Sequence, residues 1–380
     1  TRARGESLRT MSTNDGTVRS GAAPRAFDVD APLELLADPV AQWLDWEQQA
    51  NLVGFRTSTL PVEVDVVEVP RDAVEVHVLP GAVPEIVERF VGPDTVRMPP
   101  WPPHNRRPTF ACCDAPAIAC RTARFTASRT LAMPGPESGD ALFSVKLATD
   151  HPHPDFCQPE KTKLREEAVD AVKWVRAIDR VDALLPPLEV ALLVREVLVV
   201  LERDGEAGCL VRDLRRFQDG HYYLPALSLP FVGRQIAAAH RVPFGLFWER
   251  GYAAPVGRAK GELFARYGLW YETPNPQNVV VQLARDLRPT GRILFRDVGD
   301  GLRATDALAA DAVPWTRLRA DIRTETQHSF WAFAEAAEHS VDAATLEGWY
   351  RAHDGAWLGE LASWFPAVEP TDHLIRAGFP

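Results

Sequence analysis

The order in which the apolar period changes along the chain is the first limit on its architecture. Apolar residues alternate over 62–69 and 73–79, the two-residue period of half-buried strands. Residues 121–133 and 141–149 read as a further strand pair joined by the turn PGPESGD. Over 160–185 the period lengthens, with Leu164, Ala168, Ala171, Val172, Val175, Ile178 and Val181 close to helical spacing. Two more strand-like runs, 194–201 and 208–211, precede a mostly helical stretch over 237–268, and short strands at 279–283 and 292–295 flank a turn. A short helix is predicted over 32–49, and from Trp315 the tail reads as helical core rich in Trp and Phe. This order lacks the regular βαβ alternation of a doubly wound sheet and predicts a mixed α+β chain.

The punctuation of the chain suggests its divisions. Residues 98–108, MPPWPPHNRRP, hold five prolines in eleven positions and mark the main predicted boundary. The expected units are a disordered, polar terminus over 1–30 with a plausible start at Met11, and a small α/β segment over 31–108. A strand-rich nucleotide-binding lobe over 109–225 and a helical lobe with a metal-binding loop over 226–380 follow.

Composition removes several classes of function. A net charge of −10 argues against a general nucleic-acid or anionic-membrane surface. No apolar run reaches the length of a membrane span, and the N-terminus lacks the apolar core of a secretion signal. The five cysteines fall in no CxxC spacing, which suits a reducing cytoplasm better than a disulfide or zinc scaffold. No GxSxG, HExxH, Walker or dinucleotide-binding fingerprint occurs. Only five of the 42 basic residues are lysines, so Lys146, alone in the apolar run Phe143-Ser-Val-Lys-Leu-Ala, stands out.

Four short segments carry candidate chemistry. Asn278 and, nineteen residues later, Asp297 with Gly299 offer an amide oxygen and a carboxylate at strand edges, hard ligands suited to a magnesium ion beside phosphates. Taken singly, each is also a common polar turn. Lys146 reads either as a phosphate contact or as a lysine reaching to solvent. Thr126-Ala-Ser-Arg129-Thr130-Leu131 precedes it, and Thr162-Lys-Leu-Arg165 opens the long helix, where hydroxyl and guanidinium groups favour an anion. The run Asp150-His-Pro-His-Pro-Asp155 with Cys157 reads as a loop bordering the substrate cleft rather than as a metal site. Together the order suits a two-lobed, kinase-like cleft.

In sequence, these segments resemble the IucA/IucC-type synthetases, which assemble siderophores without a nonribosomal peptide synthetase. Arg129-Thr130 is similar to the family's Arg-Thr, Lys146-Leu147 to its Lys-Leu, and Thr162 with Arg165 to its Thr/Ser-x-x-Arg. Arg195-Glu196 and Val211-Arg212-Asp213 resemble its middle strands, and Arg296-Asp297 with Gly299 or Gly301 its last motif. Where the family has Glu-x-His-x-Gln-Asn, this chain reads Glu272-Thr-Pro-Asn275-Pro-Gln277-Asn278, one residue longer and without the histidine. The chain is also shorter than a typical member.

The resemblance implies ATP and Mg²⁺ as cofactors. It implies that Arg129, Lys146 and Arg165 face the phosphates and carry catalysis, with Ser128, Thr130, Thr162, Asn275 and Gln277 completing the nucleotide site. Glu272, Asn278 and Asp297 would hold the metal. The expected function is a cytoplasmic ligase that condenses a small carboxylate with an amine or hydroxyl through an acyl-adenylate, with no nucleic-acid or membrane partner and a homodimer left open. A kinase-like phosphotransferase and a non-catalytic nucleotide-binding relative are the alternatives.

Overall fold

The computed structural model describes residues 32–50, 62–99, 117–127, 129–134, 141–148, 164–267, 269–271, 276–304 and 341–364. Helix α1 (Pro39–Ala50) leads into strands β1 (Val62–Pro70) and β2 (Val74–Val78), helix α2 (Pro84–Phe90) and strand β3 (Thr95–Met98). Strands β4 (Ala119–Ala127), β5 (Thr130–Pro134) and β6 (Ala141–Leu147) follow, then the long helix α3 (Arg165–Asp182). The stretch read as one strand over 121–133 is therefore two, because the chain reverses between Ala127 and Thr130 and β4 pairs with β5.

Next come β7 (Ala191–Leu193), β8 (Glu196–Glu202), β9 (Gly208–Asp213) and β10 (Tyr222–Pro225). Helices α4 (Val232–Ala239) and α5 (Phe244–Trp248) run through a π-helical turn, Glu249–Ala253, into α6 (Ala254–Tyr267). The chain then forms β11 (Leu269–Tyr271), β12 (Val279–Leu283), β13 (Pro289–Phe295), the single turn α7 (Val298–Gly301) and β14 (Leu302–Ala304). Helix α8 (Ala343–Trp364) is the helical part of the tail that is described. The segments 149–163 and 305–340, with the Asp150–Cys157 run and the start of the expected tail, lie outside the described residues, as do residues 1–30 and most of the proline-rich stretch 98–108.

Eight strands make one antiparallel sheet in the order β2-β8-β9-β6-β5-β4-β1-β3. The expected boundary near 98–108 does not divide this sheet: β1 and β3 extend one end of it, and β2 pairs with β8 at the other. A second sheet, β10-β12-β13-β7, carries the only parallel pair among the described strands, β13 with β7. The outcome is the mixed α+β architecture that the changing period predicts. The chain supplies a strand-rich part and a part in which α4, α5, α6 and α8 share an apolar cluster with one face of the smaller sheet, while α1 covers the other.

Alternation explains the burial. On β6, Phe143, Val145 and Leu147 point into one apolar cluster with β1, β3, β8, β9 and α2, so Ser144 and Lys146 point to the other face. That other face is covered by α3, whose Ala168, Ala171, Val175 and Ile178 are fully buried. Helix α8 lies against α6 at Gly257, where an added Cβ would stand 2.1 Å from the His353 carbonyl oxygen, so only glycine permits the approach.

Candidate functional site

Lys146 stands near the middle of the large sheet, opposite Thr130 on β5 and Leu210 on β9. Only 4% of it is exposed, so it does not reach to solvent. Its ammonium donates to both carboxylate oxygens of Asp297, at 2.7 and 2.6 Å, and to Glu167 in the first turn of α3. Arg129, at the turn between β4 and β5, donates to the other Glu167 oxygen at 2.8 Å. Arg212 on β9 binds Asp297 at 2.5 Å and Glu196 on β8 at 2.9 Å. Three cations and three carboxylates thus form one buried network.

Local backbone aims Asp297 into that network. It follows β13 with φ 68° and ψ 53°, the left-handed region that Asp tolerates better than bulkier residues. Gly299 then lets α7 press onto α3: a Cβ there would lie 2.0 Å from the Glu167 carbonyl oxygen and 3.0 Å from the Ala171 Cβ. That contact brings Glu167 and Asp297 to the same ammonium.

Asn278, at the start of β12, donates through Nδ2 to Asp297 at 3.3 Å, and its Oδ1 accepts from Arg296 Nε at 3.4 Å. Arg296 is clamped by Glu47 of α1 through two bonds of 2.9 and 2.7 Å, and Gln277 donates to the same Glu47 at 3.1 Å. Glu47 is wholly buried. A helix some 230 positions earlier in the chain therefore fixes the base of the Asn278–Asp297 pair.

Burial and charge pull the two acids apart. Burial alone would raise Asp297, but the Lys146 ammonium and then Arg212 hold it well below the usual carboxylate range. Glu167 is raised: burial outweighs Lys146 and Arg129, and the Asp297 and Asp300 charges add to the rise. The two carboxylates share one ammonium and titrate as a unit. Tyr271, whose hydroxyl donates to the Asn278 and Arg296 carbonyls at 3.3 Å each, is kept protonated first by burial and then by Asp297.

The structure thus brings together Arg129, Lys146, Asn278 and Asp297 of the residues expected from sequence. Thr130 is buried beside them on β5, and Gln277 reaches the network through Glu47. Arg165 is placed elsewhere: it donates to the Glu202 carbonyl at 2.7 Å and to Glu75 on β2 at 2.8 Å. Its side chain ties the N-terminus of α3 to the β8–β9 turn and to β2. Ser128, Thr162, Glu272 and Asn275 lie outside the described residues.

Glu167 and Glu47 were not among the expected residues, yet their positions carry a signal. Each occupies an apolar-stripe position, Glu167 after Leu164 and before Ala168 and Ala171, Glu47 after Val40, Trp43 and Leu44. An acid on the buried stripe of a helix requires a cationic partner inside the protein.

A Mg²⁺ ion fits this donor set only in company. Asp297 and Asn278 carry hard oxygens, but Lys146 and Arg212 already occupy the carboxylate, and the Asn278 amide turns its nitrogen to Asp297 and its oxygen to Arg296. Among the described residues no group of three or more His, Cys, Asp or Glu is placed to hold a metal. The network is neutral as it stands, and a dication alone would leave it positive. A dication arriving on a polyphosphate would not, and Mg²⁺ commonly binds through one or two carboxylates plus substrate phosphates.

Searches against protein-family models and curated proteins returned no match. Among solved structures, the petrobactin biosynthesis protein AsbB from Bacillus anthracis superposes over 86% of this chain and 64% of its own, with a TM-score of 0.56 and 12% identity. The fold is similar to that of AsbB. ATP-bound aerobactin synthetase IucA from Klebsiella pneumoniae matches over 83% of this chain and 61% of its own at a TM-score of 0.47 and 14% identity. Aerobactin synthetase IucC from the same organism matches over 83% and 64% at 0.48 and 10%. The chain spans less than two thirds of each of these synthetases. Among the described residues no helix is long and apolar enough to cross a membrane.

Proposed function

We propose that the chain is an ATP- and Mg²⁺-dependent ligase that joins a small carboxylate to an amine or hydroxyl through an acyl-adenylate, in the manner of siderophore assembly. The observation that carries this reading is the meeting of Lys146, Arg129, Asn278 and Asp297 in one buried network, within a fold similar to that of AsbB. In this reading Lys146 exchanges Asp297, and Arg129 exchanges Glu167, for nucleotide phosphates, and the positive charge they then offer stabilises the departing pyrophosphate. Asp297 and Asn278 would hold the magnesium, which would screen the phosphate charge as the substrate carboxylate displaces pyrophosphate from the α-phosphorus. Glu167 keeps the Lys146 ammonium in place when Asp297 turns to the metal. The chain has no histidine in the 272–278 loop, so proton removal from the nucleophile falls to another group or to solvent.

One specific observation favours a second reading. A strand lysine paired with a helix glutamate, beside an Asn and an Asp that can hold metal, is the arrangement that protein kinases use. Products separate the two readings. With ATP, a panel of small acids and a panel of amines, the ligase releases AMP and pyrophosphate only when both partners are present. Release of ADP with a phosphorylated acceptor would replace the ligase by the phosphotransferase.

A further inference from the structure

The face of the large sheet turned away from Lys146 carries a second concentration of positive charge. Thr130 pairs with Lys146 and Met133 with Phe143, so alternation places Met133 and Phe143 on the face opposite Lys146. A cavity of about 180 Å³ lies there, walled by Val66, Phe90, Ile118 and Met133, with Ile118 half exposed at its rim. Arg89 of α2, Arg97 of β3 and Arg121 of β4 line the same cavity.

These arginines are gathered without an anion. None of the three is paired with a carboxylate among the described residues. Arg97 Nη2 donates to the Glu88 carbonyl at 3.3 Å, and the Arg89 guanidinium sits 4.6 Å from the centre of the Phe143 ring. Arg89 Nη1 and Arg97 Nε are buried and make no hydrogen bond. Burial, and after it the Arg121 charge, hold the Arg89 guanidinium below its ordinary value. Buried donors without acceptors and like charges side by side both cost free energy that a bound carboxylate would recover. The feature is the more unusual in a chain of net charge −10.

We propose that this cavity binds a small amphipathic anion, a carboxylate on a ring or branched aliphatic body, with Arg89, Arg97 and Arg121 holding the carboxylate and the apolar walls holding the body. Size sets the class, since a dry cavity of about 150 Å³ accommodates benzene. A body of roughly six to nine heavy atoms fits, and a nucleotide does not. Guanidinium groups suit the carboxylate because their planar donors match its two oxygens. The site is separate from the Lys146 network and does not depend on the ligase reading.

The test is calorimetric titration of benzoate into the full chain at low ionic strength. Benzoate is expected to bind saturably at one site. Benzyl alcohol, which has the body without the charge, and acetate, which has the charge without the body, should each bind at least about tenfold more weakly. Ile118→Glu sets a competing carboxylate at the exposed rim and should cut benzoate affinity about tenfold without loss of fold. The double variant Arg89→Met, Arg97→Met should do the same. Absence of saturable benzoate binding overturns the proposal, as does benzyl alcohol binding as tightly as benzoate, a comparison that needs no variant. Full benzoate affinity in the folded double variant overturns it too. Loss of benzoate binding in the folded double variant Lys146→Ala, Glu167→Gln would move the ligand to the Lys146 network and end the proposal.

Discussion

At the scale of single residues, Lys146 combines two roles that a strand lysine facing solvent would not. Its ammonium bridges the Asp297 and Glu167 carboxylates. Lys146→Ala leaves two acids facing each other in a buried site, and breaking a buried pair in this way costs about 3–5 kcal/mol. Urea denaturation should show that loss, and a nucleotide titration the loss of the ATP binding proposed above. Adding Glu167→Gln should restore much of the stability and none of the nucleotide binding, which separates the two roles. Glu47 acts one step further out. Glu47→Gln weakens its clamp on Arg296. On the proposed reading, in which Asn278 and Asp297 hold Mg²⁺, groups that orient metal ligands typically contribute about 10–100-fold in affinity, and the Mg²⁺ requirement of ATP binding should rise by that order. Unchanged Mg²⁺ dependence in a folded Glu47→Gln protein would show that the clamp is only structural. The sequence discloses Lys146, Asn278 and Asp297 because their residue types are rare in apolar runs or fall at strand edges. Glu47 and Glu167 are visible only once the helices are placed, since an acid on a helix is ordinary until its neighbours prove to be buried.

At the scale of elements, the meeting of α7 and α3 decides the geometry of the network. Gly299→Ala puts a Cβ against the Glu167 carbonyl oxygen, so α3 must move and Glu167 leaves Lys146. Overpacking of this kind costs about 1–3 kcal/mol. Gly359→Ala is the matching control: nothing lies within 4 Å of the added Cβ on α8, and the helix should gain up to about 1 kcal/mol. Melting temperatures should therefore move in opposite directions, with nucleotide binding lost only in the Gly299 variant. The period of the sequence finds most of these elements, α3 and β8 among them. It misses the reversal between Ala127 and Thr130, because no glycine or proline there marks a turn, and it misses β7 because three residues are too few to show a period.

For the molecule as a whole, acid acts on the contact between α6 and α8. Burial pushes His353 down to about 4, against its hydrogen bond to Asp354. An unfolded histidine takes up its proton near pH 6.5, whereas the folded one waits until about 4. The stability from keeping it neutral is therefore complete above pH 6.5 and is lost as pH falls toward 4, by up to about 3 kcal/mol. Asp297, held well below the usual range, adds its loss at still lower pH. Thermal melts at pH 7.5 and 4.5 should show a smaller drop in His353→Leu than in the native chain. Equal drops would place the acid sensitivity elsewhere. The composition gives no hint of this histidine, since nothing about its neighbours in sequence marks it as enclosed.

The edge position of β2 has a consequence for how the chain comes into being. It leaves the ribosome early, yet its partner β8 is made only after β3, β4, β5, β6 and α3. Until Glu202 has emerged to meet Val74, the Val-rich strand β2 has no lasting place to dock, and an exposed strand edge of this kind invites pairing with other copies. Yield from living cells should thus depend more on the rate of synthesis and on holding chaperones than the stability of the finished protein suggests.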